Sequence, residues 1–197
     1  ISLGNALVDM YAKCGAFAKA HQVLEELPNR NVVSWNTLIA GYAQEGQGHE
    51  ALNCFLLMQR EGISPNAVTF SSILKACGIT GDIDKGSKIH EDIMSRDLLE
   101  KDLLLTNALI DMYAKCGLFT KAKQILERVH FRNVISWSSL IAGYAQQEKG
   151  HEALSCYEQM EGEGLVLMSN SASKSSSFQA RKVRSALCNS RGEMILG

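Results

Sequence analysis

Two His-Glu dipeptides, His49-Glu50 and His151-Glu152, are the first residues in this chain that invite a chemical reading. Zinc hydrolases carry H-E-x-x-H on a helix, so that two imidazoles one turn apart hold the metal and the glutamate acts as general base. Here the position of the second imidazole is taken by Asn53 or Ser155, and the pairs read instead as opening turns of helices. The six cysteines (Cys14, Cys54, Cys77, Cys116, Cys156 and Cys188) form no C-x-x-C pair. They are expected to be small buried hydrophobes in a reducing compartment. No phosphate-binding glycine loop, nucleophile elbow or zinc-deaminase signature occurs. The expectation is therefore no catalytic residue, no metal site, no cofactor and no enzyme. What remains is a set of short polar side chains. Asn31, Asn66, Asp102 and Asn133 each stand directly before a predicted helix, where such residues cap free backbone N–H groups.

The elements that must position these groups are repeated. "NALVDMYAKCG" at 5–15 returns as "NALIDMYAKCG" at 107–117, and "VVSWNTLIAGYAQEGQGHEAL" at 32–52 returns as "VISWSSLIAGYAQQEKGHEAL" at 134–154. Both echoes lie 102 residues apart, and residues 1–62 match residues 103–164 at 38 positions. Such a period marks a repeat architecture. It divides into units at 1–31, 32–66, 67–102, 103–133 and 134–168.

Each unit reads as two short helices. In the second, Trp35, Leu38, Ile39 and Tyr42 make one stripe, residues 44–48 interrupt it, and Ala51, Leu52, Phe55 and Met58 make another. Gly62 is placed to end that second helix as its C′ residue. The third unit repeats the first stripe with Phe70, Ile73, Leu74 and Cys77, and in the first unit Ala20, Val23, Leu24 and Leu27 supply the second helix. Gly41 and Gly143 sit within first helices, where glycine costs about 1 kcal/mol relative to alanine; a close helix crossing is the expected reason. Hairpins this short bury their apolar faces only by stacking. The expected fold is all-α, a right-handed superhelical α-solenoid of antiparallel helix pairs.

These letters resemble the pentatricopeptide repeat family, and the alternation of 35, 36 and 31 residues resembles its plant subclass of normal, long and short motifs. The resemblance covers residues 1–164. It implies binding of single-stranded RNA, one base per repeat, with the fifth and last residues of each motif choosing the base. Carried over, the pairs are Asn5 with Asn31, Asn36 with Asn66, Ser71 with Asp102, and Asn107 with Asn133. Ser138 opens a fifth whose last position is Met168. In the family's code Asn/Asn favours cytosine and Ser/Asp guanine, so the array would prefer C-C-G-C from 5′ to 3′. The resemblance also places Val33, Val68, Leu104 and Ile135 against base faces, although interior packing explains those residues equally well. Lys13 and Lys115 resemble phosphate-contacting positions, and equally fit last-turn lysines favoured by the helix dipole.

Charge sets a limit on this reading. Five of the 20 basic residues and one of the 21 acidic ones fall in 169–197, so residues 1–168 carry a net charge of −5. A protein-binding helical scaffold fits that acidity as an alternative. After Gly164 the pattern fails, and residues 169–197 read as a serine-rich basic tail. It is expected to be disordered, with at most a short helix around 178–187. Leu154, Tyr157 and Met160 would then stay exposed. No apolar run approaches membrane-spanning length, so no membrane insertion is expected. Family resemblance implies a mitochondrial or chloroplast protein acting in RNA editing, processing or stabilisation. Its targeting peptide would lie upstream of Ile1, and an editing deaminase or other processing factor would act in trans.

Overall fold

A computed structural model describes residues 3–99, 102–129 and 132–165. The expectations for Met168, Cys188 and the serine-rich tail lie outside the described residues. Within them there are ten α-helices and no strand: α1 (Leu3–Lys13), α2 (Phe17–Glu26), α3 (Val32–Gln44), α4 (Gly48–Arg60), α5 (Ala67–Thr80), α6 (Ile83–Ser95), α7 (Leu103–Lys115), α8 (Phe119–Arg128), α9 (Val134–Gln146) and α10 (Gly150–Gly162). The chain divides into two compact units, residues 1–108 and 109–197, with the division falling inside α7.

In the first unit α1 packs on α2, α3 on α4, and α5 on α6, while α3 lies between α1 and α5. The stripes explain this arrangement. Trp35, Leu38, Ile39 and Tyr42 of α3 are all buried, as are Ala51, Leu52, Phe55 and Met58 of α4, and Phe70, Ile73, Leu74 and Cys77 of α5. Burying a side chain of this size contributes roughly 1.5–3 kcal/mol, which outweighs the modest helix propensity of such short segments. In α2, Ala20 and Leu24 are buried, but Val23 is half-buried and Leu27 lies one residue past the helix in an extended conformation. Gly62 follows α4 with φ of 72°, the left-handed turn that removes the chain from the helix.

Gly41 and Gly143 do mark close crossings. A Cβ on Gly41 would lie 3.0 Å from the Cβ of Ala12 in α1. In the second unit a Cβ on Gly143 would lie 2.6 Å from the Cβ of Ala114 in α7 and 3.2 Å from its backbone. The hairpins also repeat an aromatic joint: Phe17 stacks on Tyr42 at 4.4 Å between centroids, and Phe119 on Tyr144 at 4.0 Å.

Two expectations need correction. Cys54, Cys77 and Cys156 are buried, but Cys14 is exposed and Cys116 half-buried, because both fall at the end of a first helix where the chain turns outward. Met160 is fully buried, and Leu154 and Tyr157 are half-buried, so the apolar side of α10 is not the open surface expected.

Candidate nucleic-acid interface

The first helices α3, α5 and α9 each begin behind an asparagine whose side chain caps them. Asn31 Oδ1 accepts from the N–H groups of Val33 (3.0 Å) and Ser34 (3.1 Å). Asn133 Oδ1 accepts from Ser136 N–H at 2.9 Å. At the start of α7, Asp102 Oδ1 accepts from Leu104 N–H at 2.8 Å. Among the second helices α2, α4, α8 and α10 no side-chain cap is present. The remaining second helix, α6, is capped by Asp82, whose Oδ1 accepts from Lys85 N–H at 3.0 Å, so side-chain capping is the rule at the first helices and the exception at the second.

Asn66 shows what else such a cap can do. Its Oδ1 accepts from Thr69 N–H at 3.1 Å and also from Asn36 Nδ2, in the neighbouring first helix, at 3.0 Å. The fifth residue of one motif and the last residue of the same motif are thus in direct contact. Thr69 Oγ1 donates to Asn36 Oδ1 at 2.6 Å and accepts from Asn66 N–H at 3.1 Å. A backbone N–H can only donate, so it fixes which end of the Asn66 amide is oxygen. That in turn fixes Asn36. The Nδ2 group of Asn66, on an exposed residue, is left with no partner among the described residues, and it is a donor.

The remaining expected positions vary in accessibility. Asn5 and Asn36 are each only 8% exposed, whereas Asn31 and Asn66 are exposed. Ser71, Asp102 and Asn107 in the first unit are half-buried, as is Asn133 in the second. Ser138 is buried at 2% exposure, because it lies on the packed side of α9. Val33, Val68, Leu104 and Ile135 are about half exposed, which removes the interior reading of these residues. Lys13 is exposed and Lys115 half-buried, each bound to the aspartate one turn earlier (Asp9 and Asp111) at 2.6 Å.

The His-Glu pairs occupy the first turns of α4 and α10, and no group of three metal-ligating side chains occurs among the described residues. Two of the buried thiols, Cys54 and Cys156, are held protonated. Burial, with Glu50 adding to it, pushes Cys54 up to about 12, and burial likewise raises Cys156. No described helix is long and apolar enough to cross a membrane.

Sequence reasoning missed two groups. One is Thr69, whose signal was the hydroxyl recurring three residues into the following helix as Ser34, Thr69 and Ser136. The other is a clamp behind the hairpin. Glu61 accepts from Trp35 Nε1 at 3.0 Å and pairs with Arg30 at 2.8 Å, and 102 residues later Glu163 joins Trp137 (2.9 Å) and Arg132 (3.0 Å).

Hairpins of this size, repeated and capped alike, define an α-helical repeat protein. The chain belongs to the PPR repeat family: the "PPR repeat family" model matches residues 30–78, and the "PPR repeat" model matches 5–32, 68–98, 106–134 and 135–165. Relatives in Arabidopsis thaliana include the mitochondrial pentatricopeptide repeat-containing protein At3g09040, 39% identical over 166 residues. That match covers 84% of this chain and 16% of the relative. The chloroplastic pentatricopeptide repeat-containing protein At4g18520 is 36% identical over 165 residues, covering 84% of this chain and 27% of its own length. The chain thus spans well under half of these relatives. Among solved structures, PPR10 of maize in complex with an 18-nt psaJ RNA element shares the fold with a TM-score of 0.75, at 21% identity over 95% of this chain and 28% of that one. The PPR domain of the Arabidopsis protein-only RNase P 1, in complex with tRNA, gives 0.59 at 13% identity, covering 90% and 95%.

Proposed function

We propose that these repeats bind single-stranded RNA and select bases through the paired fifth and last residues of each motif. The observation that carries this reading is the contact between Asn36 and Asn66, with exposed Val33 and Val68 on the same two first helices. A base held between two aliphatic side chains needs about 7–8 Å, two carbon contacts of 3.5–4.0 Å. Val33 and Val68 stand exposed at equivalent positions on α3 and α5, which pack directly on each other, and are read as the two walls of such a slot. Within it, the exposed Nδ2 of Asn66 donates to the ring acceptor of cytosine, while the ring N–H of uracil meets donor against donor. Asn5/Asn31 is read as a further cytosine pair and Ser71/Asp102 as a guanine pair; Asn107 and Asn133, which fall in different units, are given cytosine by the motif code alone. Ser138, being buried, is given no such role.

The finer role follows the family: editing, processing or stabilisation of an organellar transcript, in mitochondria or chloroplasts. A deaminase or other processing factor would work in trans. Lys13 and Lys115 contribute at most exchangeable phosphate contacts, since each already has a carboxylate partner. The repeats themselves have no catalytic part in this scheme.

The test is selection of RNAs bound by the 197-residue chain from a pool of short randomised single strands. Enrichment of C-C-G-C is expected. Asn36→Ser combined with Asn66→Asp replaces the donor with an acceptor and should move the second position from cytosine toward guanine. Equal binding of all sequences, or of none, would overturn the reading and leave the acidic scaffold in its place.

A further inference from the structure

We propose that Thr69, which belongs to the motif after the reading pair, is a positioning residue that sets the base preference of Asn36 and Asn66. This rests on the RNA-reading proposal and deepens it: selection at that position depends on three side chains, one of them borrowed from the next repeat. Thr69 is fully buried, so it cannot touch a base itself. It acts through Asn36.

The ring of hydrogen bonds has one consistent polarity. Thr69 N–H fixes Asn66 Oδ1, Asn36 must then present Nδ2 to that oxygen, and Asn36 Oδ1 must face the Thr69 hydroxyl at 2.6 Å. The hydroxyl proton goes to Asn36 Oδ1 at 2.6 Å in preference to Asn66 Oδ1 at 3.1 Å, and the hydroxyl oxygen receives Asn66 N–H. With valine at position 69, Asn36 Oδ1 would face a methyl group. A buried oxygen without a donor is costly, so the Asn36 side chain turns toward the open edge of the slot. Its carbonyl then offers an acceptor to the ring N–H of uracil, and the distinction between the two pyrimidines weakens.

The same chain contains the natural contrast. Ser34 Oγ accepts from Asn31 N–H at 2.9 Å and Ser136 Oγ donates to Asn133 Oδ1 at 3.0 Å, so the hydroxyl is retained behind Asn31 and Asn133. Behind Asp102 the corresponding residue is Leu105, fully buried and without a hydroxyl; the Asp102 carboxylate accepts from Leu104 N–H, and the hydroxyl of Thr106 reaches the Asp102 backbone carbonyl at 3.4 Å rather than its side chain. The guanine pair is therefore a different kind of reader, unpinned from behind.

The experiment compares the intact chain with Thr69→Val, Thr69→Ala and Thr69→Ser, measuring affinity for RNAs that differ only by cytosine or uracil opposite the Asn36/Asn66 pair, and separately opposite Asn5/Asn31. Helical content and melting temperature are recorded for each variant. Both hydroxyl-free variants should lose about fivefold in the cytosine-to-uracil ratio at the first site, keep it at the second, and regain it in Thr69→Ser. An unchanged ratio, or equal weakening at both sites, would overturn the positioning role while leaving base reading intact. A wild-type chain with no preference at either site would overturn base reading itself, and the positioning role with it.

Discussion

A thiol illustrates how strongly a single residue's chemistry depends on its surroundings. Cys54 and Cys14 carry the same group, but Cys54 is 3% exposed and pushed up to about 12, first by loss of water and then by Glu50. In the unfolded chain the same thiol titrates near about 8.5. Above that pH the unfolded chain gives up a proton that the folded one retains. Stability contributed by the protonated thiol is therefore complete below about pH 8.5 and is lost as pH rises toward 12, by up to about 1.4 kcal/mol per pH unit. Urea titrations at pH 8 and above should show that decline, and Cys54→Ala should flatten it while lowering stability at neutral pH. A variant with the same alkaline slope as the wild type would mean the thiolate is tolerated. The asparagines show the same dependence in another form, since Asn66 is at once a helix cap and the exposed end of a hydrogen-bonded pair.

At the scale of helices, the crossing of α7 and α9 is fixed by what is missing. Alanine is a better helix former than glycine by about 1 kcal/mol, yet a Cβ at position 143 would press within 2.6 Å of Ala114. Gly143→Ala should cost about 1–3 kcal/mol net, as overpacked cores do. In a chain of this length that lowers Tm by roughly 2–12 °C. The double variant Gly143→Ala with Ala114→Gly should recover most of the loss. Gly41, with 3.0 Å to Ala12, should respond more weakly to the same change. Thermal melts of the three variants beside the wild type check this, and a Gly143→Ala chain melting above the wild type would contradict it. The crossing was legible in sequence because a glycine in each of two copied helices has no reason in propensity. Its partner was not, since only packing brings residues 29 positions apart into contact.

Over the whole molecule, identical letters meet different fates. Leu3, Leu7 and Met10 of α1 are exposed by 78%, 37% and 42%, whereas their counterparts 102 residues on, Leu105, Leu109 and Met112, are fully buried. Leu109→Ser should thus cost about 3 kcal/mol or more, and Leu7→Ser less than about 1. Chemical denaturation of the two variants distinguishes them, and equal losses would show that α1 is covered in solution. The acidic body adds a second property of the whole. With −5 over residues 1–168 and Lys13 and Lys115 already paired, the RNA affinity proposed above would rest on stacking and amide contacts more than on phosphate neutralisation.

The order of letters alone determined the helical hairpins, the caps before α3, α5 and α9, and the repeat that relates them. These are local matters of apolar spacing, capping and turn chemistry, which neighbours in sequence decide. Tertiary structure alone decided that Asn36 reaches Asn66 through Thr69, that Ser138 and Met160 face inward while Cys14 faces out, and that α1 differs from its copy. Those outcomes depend on which surface lies against which, and a helix whose face is written identically twice carries no mark of what will be set beside it.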